Sequence, residues 1–362
     1  MDEIEHHPHY TLFHTSNENV EGMIAMLHQA KESIDIEAFY FLPDAIGRKI
    51  LDILVSKAAD GVEVRFLVDA MGSYSLSKSL YMEAFRKAGV HIRFFNSFIP
   101  FSSTSKSLWY FRNHRRTLII DGREIYVGST CIGEPTCDWI ETGIKLTHSQ
   151  AVSQASKAFS DTWHKSLHKT FKVGSSSKLS TDSFSYITQA PLQGQRHIYN
   201  LLITQIRNAK KNITLIAPYI VPDRRLMRAL RQARRRKIHI DIITPKETDS
   251  ALADRGRGTF IKQMLVHGIC IHMHPNMIHS KVAIFDDEVA YISTMNLDNV
   301  SLRYNYECAL LIDNKNCVTE LIYHVNKNML DKSTKLYLRE WNKRSLWIQF
   351  LELIVWPVRK FL

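Results

Sequence analysis

The sequence predicts an α/β protein of two similar halves, each a mixed β-sheet flanked by helices, with a reactive site where the halves meet. Three observations carry this. The chain has 362 residues, which suits two domains or two halves of a large one better than a single ordinary domain. A long run of alternating helix-type and strand-type patterning occurs twice in the same order. Each copy closes on the same motif, His, any residue, a cation, four residues, Asp, at His114–Asp121 and again at His279–Asp286.

The repeat predicts its elements in sequence. A helix-period run covers Val20 to Ala30 and, in the second copy, Ile198 to Ala209. A β-rich run follows in each and ends at Pro-Asp, at Pro43-Asp44 and Pro222-Asp223. The next helix runs from Ala45 to Ala59 and from Arg224 to Arg235, and the next strand from Val62 to Val68 and from Ile238 to Ile243. A further helix ends at Ala88-Gly89 or His267-Gly268, where glycine signals a C-cap. One more strand, Val90 to Phe95 or Ile269 to His274, leads to the His motif. Order and content repeat, as in a duplicated βαβ-type unit. The expected division is an N-terminal half at 1–172, a Ser-rich linker at 173–190, a C-terminal half at 191–335 and an apolar, basic tail at 336–362. Two such halves about a pseudo-twofold axis bring His114 and His279 into one cleft.

Bulk composition narrows the partners. With 45% hydrophobic residues the chain buries a real core, and its net charge of +11 favours a polyanion, either nucleic acid or an anionic membrane surface. The five cysteines (Cys131, Cys137, Cys270, Cys308, Cys317) are odd in number and lack CxxC spacing. That pattern argues against a structural zinc site or a disulfide framework and for a reducing compartment. The first residues carry acids where a secretory signal needs bases. No apolar run approaches the roughly 18 residues of a spanning helix, so a peripheral protein is expected.

The motif residues are the parts of a phosphate-binding, phosphate-attacking site. In an extended run, His and a cation two residues on share one face, pairing His114 with Arg116 and His279 with Lys281. Neutral imidazole is a nucleophile able to form a covalent phosphoryl intermediate, and the other histidine can serve as general acid and base. The hydroxyl and amide groups of Ser129, Thr294 and Asn296 are expected to donate to the phosphate oxygens. A catalytic imidazole also needs an acceptor on its second nitrogen. Glu141 and Glu307, 27 and 28 residues after His114 and His279 respectively, are the candidates. No carboxylate cluster with metal-ligand spacing adjoins the motif, so neither metal nor other cofactor is expected. For one isolated histidine a core role would be the better reading. Two at equivalent repeat positions, each with a trailing hydroxyl and Glu, favour catalysis.

This double pattern, with its trailing Gly-Ser and Asn, resembles the phospholipase D superfamily, and within it the bacterial cardiolipin synthases of the phospholipase D type. The resemblance spans nearly the whole chain, including Glu37-Ala38-Phe39-Tyr40-Phe41, Phe159-Ser160-Asp161-Thr162-Trp163, Asn296-Leu297-Asp298 and Ser301 to Glu307. It implies a two-step, metal-independent phosphatidyl transfer through a phosphohistidine. By analogy His114 is the nucleophile and His279 the acid and base, an order the sequence alone leaves open, while Asp121 and Asp286 of the catalytic motifs organise the site rather than touch substrate. The chain departs from the family at Arg116 (Lys in the family), Cys131 (Asn) and Ser293-Thr294 (Gly-Ser). Arg116 keeps the charge with a forked donor, whereas Cys131 is a poorer donor than an amide.

Three features favour lipid over nucleic acid. The tail from Leu346 to Leu362 is apolar, aromatic and terminally basic, as in an interfacial helix, although such a helix can equally dock on the protein's own core. An aromatic segment, Phe98 to Phe111, precedes the first histidine, and Arg224 to Lys237 is a basic amphipathic helix. The expected activity is synthesis of cardiolipin from two phosphatidylglycerol molecules with release of glycerol. The alternatives are hydrolysis to phosphatidic acid, a metal-independent nuclease and an inactive membrane-binding scaffold. The expected partners are phosphatidylglycerol and a membrane surface, at the cytoplasmic face of a bacterial cell membrane. Neither nucleic acid nor an obligate protein partner is expected.

Overall fold

The computed structural model describes residues 9–97, 110–168, 183–191 and 194–355. The Ser-rich stretch 174–181 and most of the aromatic segment before His114 lie outside the described residues.

In the first half β1 (Tyr10–Thr15), α1 (Ser16–Gln29), β2 (Ser33–Ala38), α2 (Ala45–Ala59) and β3 (Glu63–Asp69) follow in order. Then come α3 (Tyr74–Ser77), α4 (Tyr81–Ala88), β4 (His91–Phe95), β5 (Thr117–Ile120), β6 (Glu124–Gly128), β7 (Ile140–Leu146) and α5 (Ser149–His168). The second half begins with β8 (Phe184–Gln189), inside the segment expected to be linker. It continues through α6 (His197–Asn208), β9 (Asn212–Ile216), β10 (Ile220–Val221), α7 (Arg224–Arg235), β11 (His239–Pro245), α8 (Ala251–Val266) and β12 (Cys270–His274). Next are β13 (Val282–Phe285), β14 (Val289–Ser293), β15 (Leu297–Asp298), α9 (Asn299–Arg303) and β16 (Glu307–Ile312). Last are α10 (Lys315–His324) with a π-helical turn, Val325–Leu330, then β17 (Thr334–Lys335), α11 (Leu338–Asn342) and α12 (Leu346–Val355).

Local chemistry explains the boundaries. Asp44 and Asp223 cap α2 and α7, each accepting from two backbone N–H groups of its helix's first turn. These are the aspartates of the repeated Pro-Asp. Gly89 closes α4 at φ 87°, a left-handed position that glycine adopts without strain.

The two sheets share one topology. The first runs β1-β7-β6-β5-β2-β3-β4 and the second β17-β12-β11-β9-β13-β14-β16-β8. In each, three parallel strands (β2, β3, β4 or β9, β11, β12) adjoin an antiparallel block. Strand β8, missed by patterning, pairs with β16 from Phe184 to Gln189 and occupies the place β1 holds beside β7. One core joins the halves, with Ile119, Val127 and Phe159 packed in the same cluster as Ile284, Leu310 and Val318. Separate cores lie under α1, α2 and α4 in one half and under α6, α7 and α8 in the other.

Candidate active site

The histidines precede β5 and β13 rather than lying within them, because their segments are engaged by the opposite half. Asn113 bridges Tyr306, and the His114 N–H donates to the Tyr306 carbonyl at 2.9 Å. Symmetrically, Ile278 bridges Ile140, and the His279 N–H donates to the Ile140 carbonyl at 2.8 Å. Each histidine is thus hydrogen-bonded to the residue just before a glutamate of the other half.

That stitching corrects the expected pairing. Sequence proximity matches Glu141 to His114 and Glu307 to His279, but the fold crosses them. Nδ1 of His114 lies 2.9 Å from Glu307 Oε2, and Nδ1 of His279 lies 2.8 Å from Glu141 Oε1. Both carboxylates are fully buried. With Nδ1–H donated to a carboxylate, each imidazole keeps its Nε2 lone pair for chemistry. Burial lowers the pKa of His114, and it lowers that of His279 to about 4, so both rings are neutral at pH 7. Burial alone would raise Glu141, but His279, Lys281 and Ser129 outweigh it and hold the carboxyl at about 2.

The cations lie on the same cluster. Lys281 donates to the His279 carbonyl at 2.7 Å. Its pKa falls to about 7, through burial first and the Arg116 charge next. Arg116 fills the matching place with a fork. Nη1 donates to the His114 carbonyl at 3.2 Å, and Nη2 to Cys131 Sγ at 3.4 Å and to His114 Nε2 at 3.3 Å, a long contact that the imidazole gives up when Nε2 attacks. Cys131 therefore accepts from the guanidinium. Asn296, its counterpart, is buried with Oδ1 unpartnered among the described residues, as is Arg116 Nε. Such atoms in a cluster of two cations suit a polar ligand.

A further expectation is corrected. Ser129 and Thr294 are fully buried and turn from the ligand side to the glutamates: Ser129 donates to Glu141, and Thr294 to Glu307 at 2.6 Å. They orient the orienting groups, because a carboxylate holding an imidazole has acceptor sites left for a hydroxyl. Asp121 and Asp286 are not at the reacting centre. Asp121 accepts from the backbone N–H groups of Lys31, Glu32 and Ser33, and Asp286 from those of Lys210, Lys211 and Asn212. Each sits at the far end of its strand, at φ 52° and 56°, tying that end to the start of β2 or β9. Four residues of strand carry the chain away from the histidine.

Patterning missed the aromatic walls. Phe39 meets the His114 ring edge-on at 4.8 Å between centroids, and Trp139 lies 4.9 Å from the His279 ring. Trp139 stands two residues before Glu141, so strand alternation offered a signal. Tyr40 and Tyr219 are equivalent too. Their carbonyls accept from Ile132 and Leu297 at 3.2 Å each, fixing the positions just after Cys131 and Asn296. One donor group here, Cys131, Glu141 and His279, has the composition of a metal site, but Arg116 and Lys281 beside it oppose a cation.

Two pseudo-symmetric halves, each lending a carboxylate-held histidine and a cation to a shared centre, define the phospholipase D fold. The family described as "Cardiolipin synthase, PLD-like domain" matches residues 23–163 and 202–329. The cardiolipin synthase of Listeria monocytogenes (serotype 4b, strain CLIP80459) is 30% identical over 359 residues, covering 95% of this chain and 73% of that one. The major cardiolipin synthase ClsA of Bacillus subtilis (strain 168) is 30% identical over 352 residues, covering 92% and 71%. In fold the chain is similar to phosphatidylserine synthase of Haemophilus influenzae Rd KW20, with a TM-score of 0.77 at 15% identity over 98% of this chain and 95% of that one. The chain belongs to the phospholipase D-like cardiolipin synthase family.

Proposed function

We infer that this chain is a phosphatidyltransferase that makes cardiolipin from two molecules of phosphatidylglycerol, releasing glycerol. The observation that carries the reading is the crossed pair His114–Glu307 and His279–Glu141, which leaves two Nε2 atoms and two cations on one centre. In the first step Nε2 of His114 attacks the phosphorus of a phosphatidylglycerol. The bound phosphate anion, with Glu141 on Nδ1, favours the imidazolium form of His279 in the substrate complex. As the P–O bond to the head-group glycerol breaks, that imidazolium gives its Nε2 proton to the leaving oxygen and becomes the neutral base for the second step. In the second step His279 takes the proton of a hydroxyl on a second phosphatidylglycerol, whose oxygen attacks phosphorus and expels His114. Arg116, Lys281 and Asn296 hold the non-bridging oxygens as charge builds on them.

The substrate class draws support from the surface. Helix α12 packs on α8 through Leu351 and Glu352, the latter paired with Arg344, while Trp347, Phe350 and Ile354 are exposed on its other side. Trp347 and Phe350 stack at 5.7 Å. This tail is docked on one side and apolar outward on the other, as a peripheral lipid-facing element requires. No helix among the described residues is long and apolar enough to cross a membrane. The five free thiols suit the cytoplasmic face of a bacterial membrane.

The test is incubation with phosphatidylglycerol vesicles without added metal. Diphosphatidyl product with free glycerol is expected; phosphatidic acid alone would make the chain a hydrolase, and no turnover would leave the scaffold reading. Rapid-quench peptide mapping should find the phosphoryl adduct on His114, and an adduct on His279 would reverse the two roles.

A further inference from the structure

The sheet of the second half carries a second cluster of reactive groups, on the face turned away from α7 and α8. Residues 240 and 242 of β11 and 271 and 273 of β12 point into the core under those helices. By alternation His239 and Asp241, with Cys270 and His272, point the other way. Register aligns them, with Asp241 beside Cys270 and Ile243 beside His272. The Asp241 carboxylate stands between two imidazoles, 2.8 Å from His239 Nε2 and 2.7 Å from His272 Nε2. One ligand atom from each of His239, Asp241 and Cys270 lies within 4.8 Å of the others.

The first half shows what these positions hold in an ordinary sheet. In the matching register Glu63, Arg65, His91 and Arg93 replace His239, Asp241, Cys270 and His272. There Arg65 pairs with Asp35 at 2.6 Å, and Arg93 donates to the Trp163 carbonyl at 2.5 Å. Ion pairing and a side-chain-to-backbone hydrogen bond occupy that half. The second half has two imidazoles, a carboxylate and a thiol instead, a donor set suited to a tetrahedral divalent ion.

We propose that His239, Asp241, Cys270 and His272 form a zinc-type site that takes a divalent transition metal and staples β11 to β12. Bonds of about 2.0–2.3 Å put neighbouring ligand atoms roughly 3.3–3.8 Å apart, so the imidazole–carboxylate contacts must open by about half an ångström. His272, which touches Asp241 but stands outside the 4.8 Å group, must move in toward the other ligands. His239, 56% exposed in its side chain, has room to move and gives the ion its entry. The two nitrogens that now donate to Asp241 would bind metal as neutral imidazoles, the thiol would ionise, and Asp241 and Cys270 together would balance the ion's charge. Lys335, opposite His272 in β17, is exposed, and solvent screens its charge.

The chelator-washed full chain is titrated with cobalt(II), read by its thiolate-to-metal absorption band and its tetrahedral d–d bands, then competed with zinc. The wild type should show both bands and a zinc-dependent rise in melting temperature. Cys270→Ser should lose the thiolate band and the thermal shift, and His239→Ala should weaken affinity about 10-fold or more. Cys131→Ser, which alters the other thiol-bearing group, should keep the band. A wild type without a thiolate band overturns the proposal, as does a band lost in Cys131→Ser and kept in Cys270→Ser.

Discussion

Glu307 of the second half holds Nδ1 of His114 of the first at 2.9 Å, and Glu141 returns the arrangement to His279 at 2.8 Å. Each half therefore completes the other's histidine. Neither half has a properly oriented imidazole alone, and the reacting centre exists only when the halves are docked.

Glu307→Gln should act across the fold. The amide cannot stabilise an imidazolium at His114, so turnover should fall by roughly 100-fold. Nuclear magnetic resonance titration should show the main change at His114, with a smaller one at His279. A change dominated by His279 would place Glu307 in its own half after all.

His114→Ala and His279→Ala should each abolish turnover, since one removes the atom that bonds phosphorus and the other the proton carrier. Near-normal rate in either variant contradicts the paired mechanism.

Lys281 sets a pH dependence of known sign. Its pKa falls to about 7 from an ordinary 10.5, by burial and then by Arg116. Affinity for inorganic phosphate should fall as pH rises through about 7, and binding above that pH should take up a proton. Stability runs the other way. Between about 7 and 10.5 the unfolded chain holds the proton that the folded chain has released, so the Lys281 contribution to stability rises with pH across that window. Calorimetry in buffers of different ionisation enthalpy checks the uptake. Lys281→Met should remove it.

Asp121→Asn keeps a residue that tolerates positive φ and removes a carboxylate that accepts from three backbone donors. A stability loss of about 1–2 kcal/mol is expected, with little change in kcat below the melting range. Loss of kcat in fully folded protein would place Asp121 at the chemistry.

Cys131→Asn restores an amide beside Arg116 and should raise kcat/KM, because an amide N–H is a far better donor to a phosphate oxygen than a thiol. An unchanged or lower value would mean that the Arg116–Cys131 contact already serves the site.

Much of this was legible from the sequence because local chemistry repeats. Helices α2 and α7 have their expected bounds, set by Asp44 and Asp223 after proline, and the Gly89 cap falls where glycine marked it. Strand β8 was illegible because the Ser-rich stretch before it reads as linker and its partner β16 lies over a hundred residues on. The roles of Ser129 and Thr294 were misread for a similar reason. Hydroxyl chemistry suits phosphate and carboxylate alike, and burial against Glu141 and Glu307 decides between them. The His239–Cys270 cluster has no spacing signature, since its ligands come from two strands aligned by register.

The sequence by itself determined the duplication, the paired histidines and cations, and with them the family and its reaction class, because residue type and order within a repeat are local properties. Only the tertiary structure decided which glutamate serves which histidine. A carboxylate orients the imidazole it touches, and docking the halves puts Tyr306 and Ile140 against the opposite histidine segments, bringing each glutamate to its neighbour's histidine and not its own.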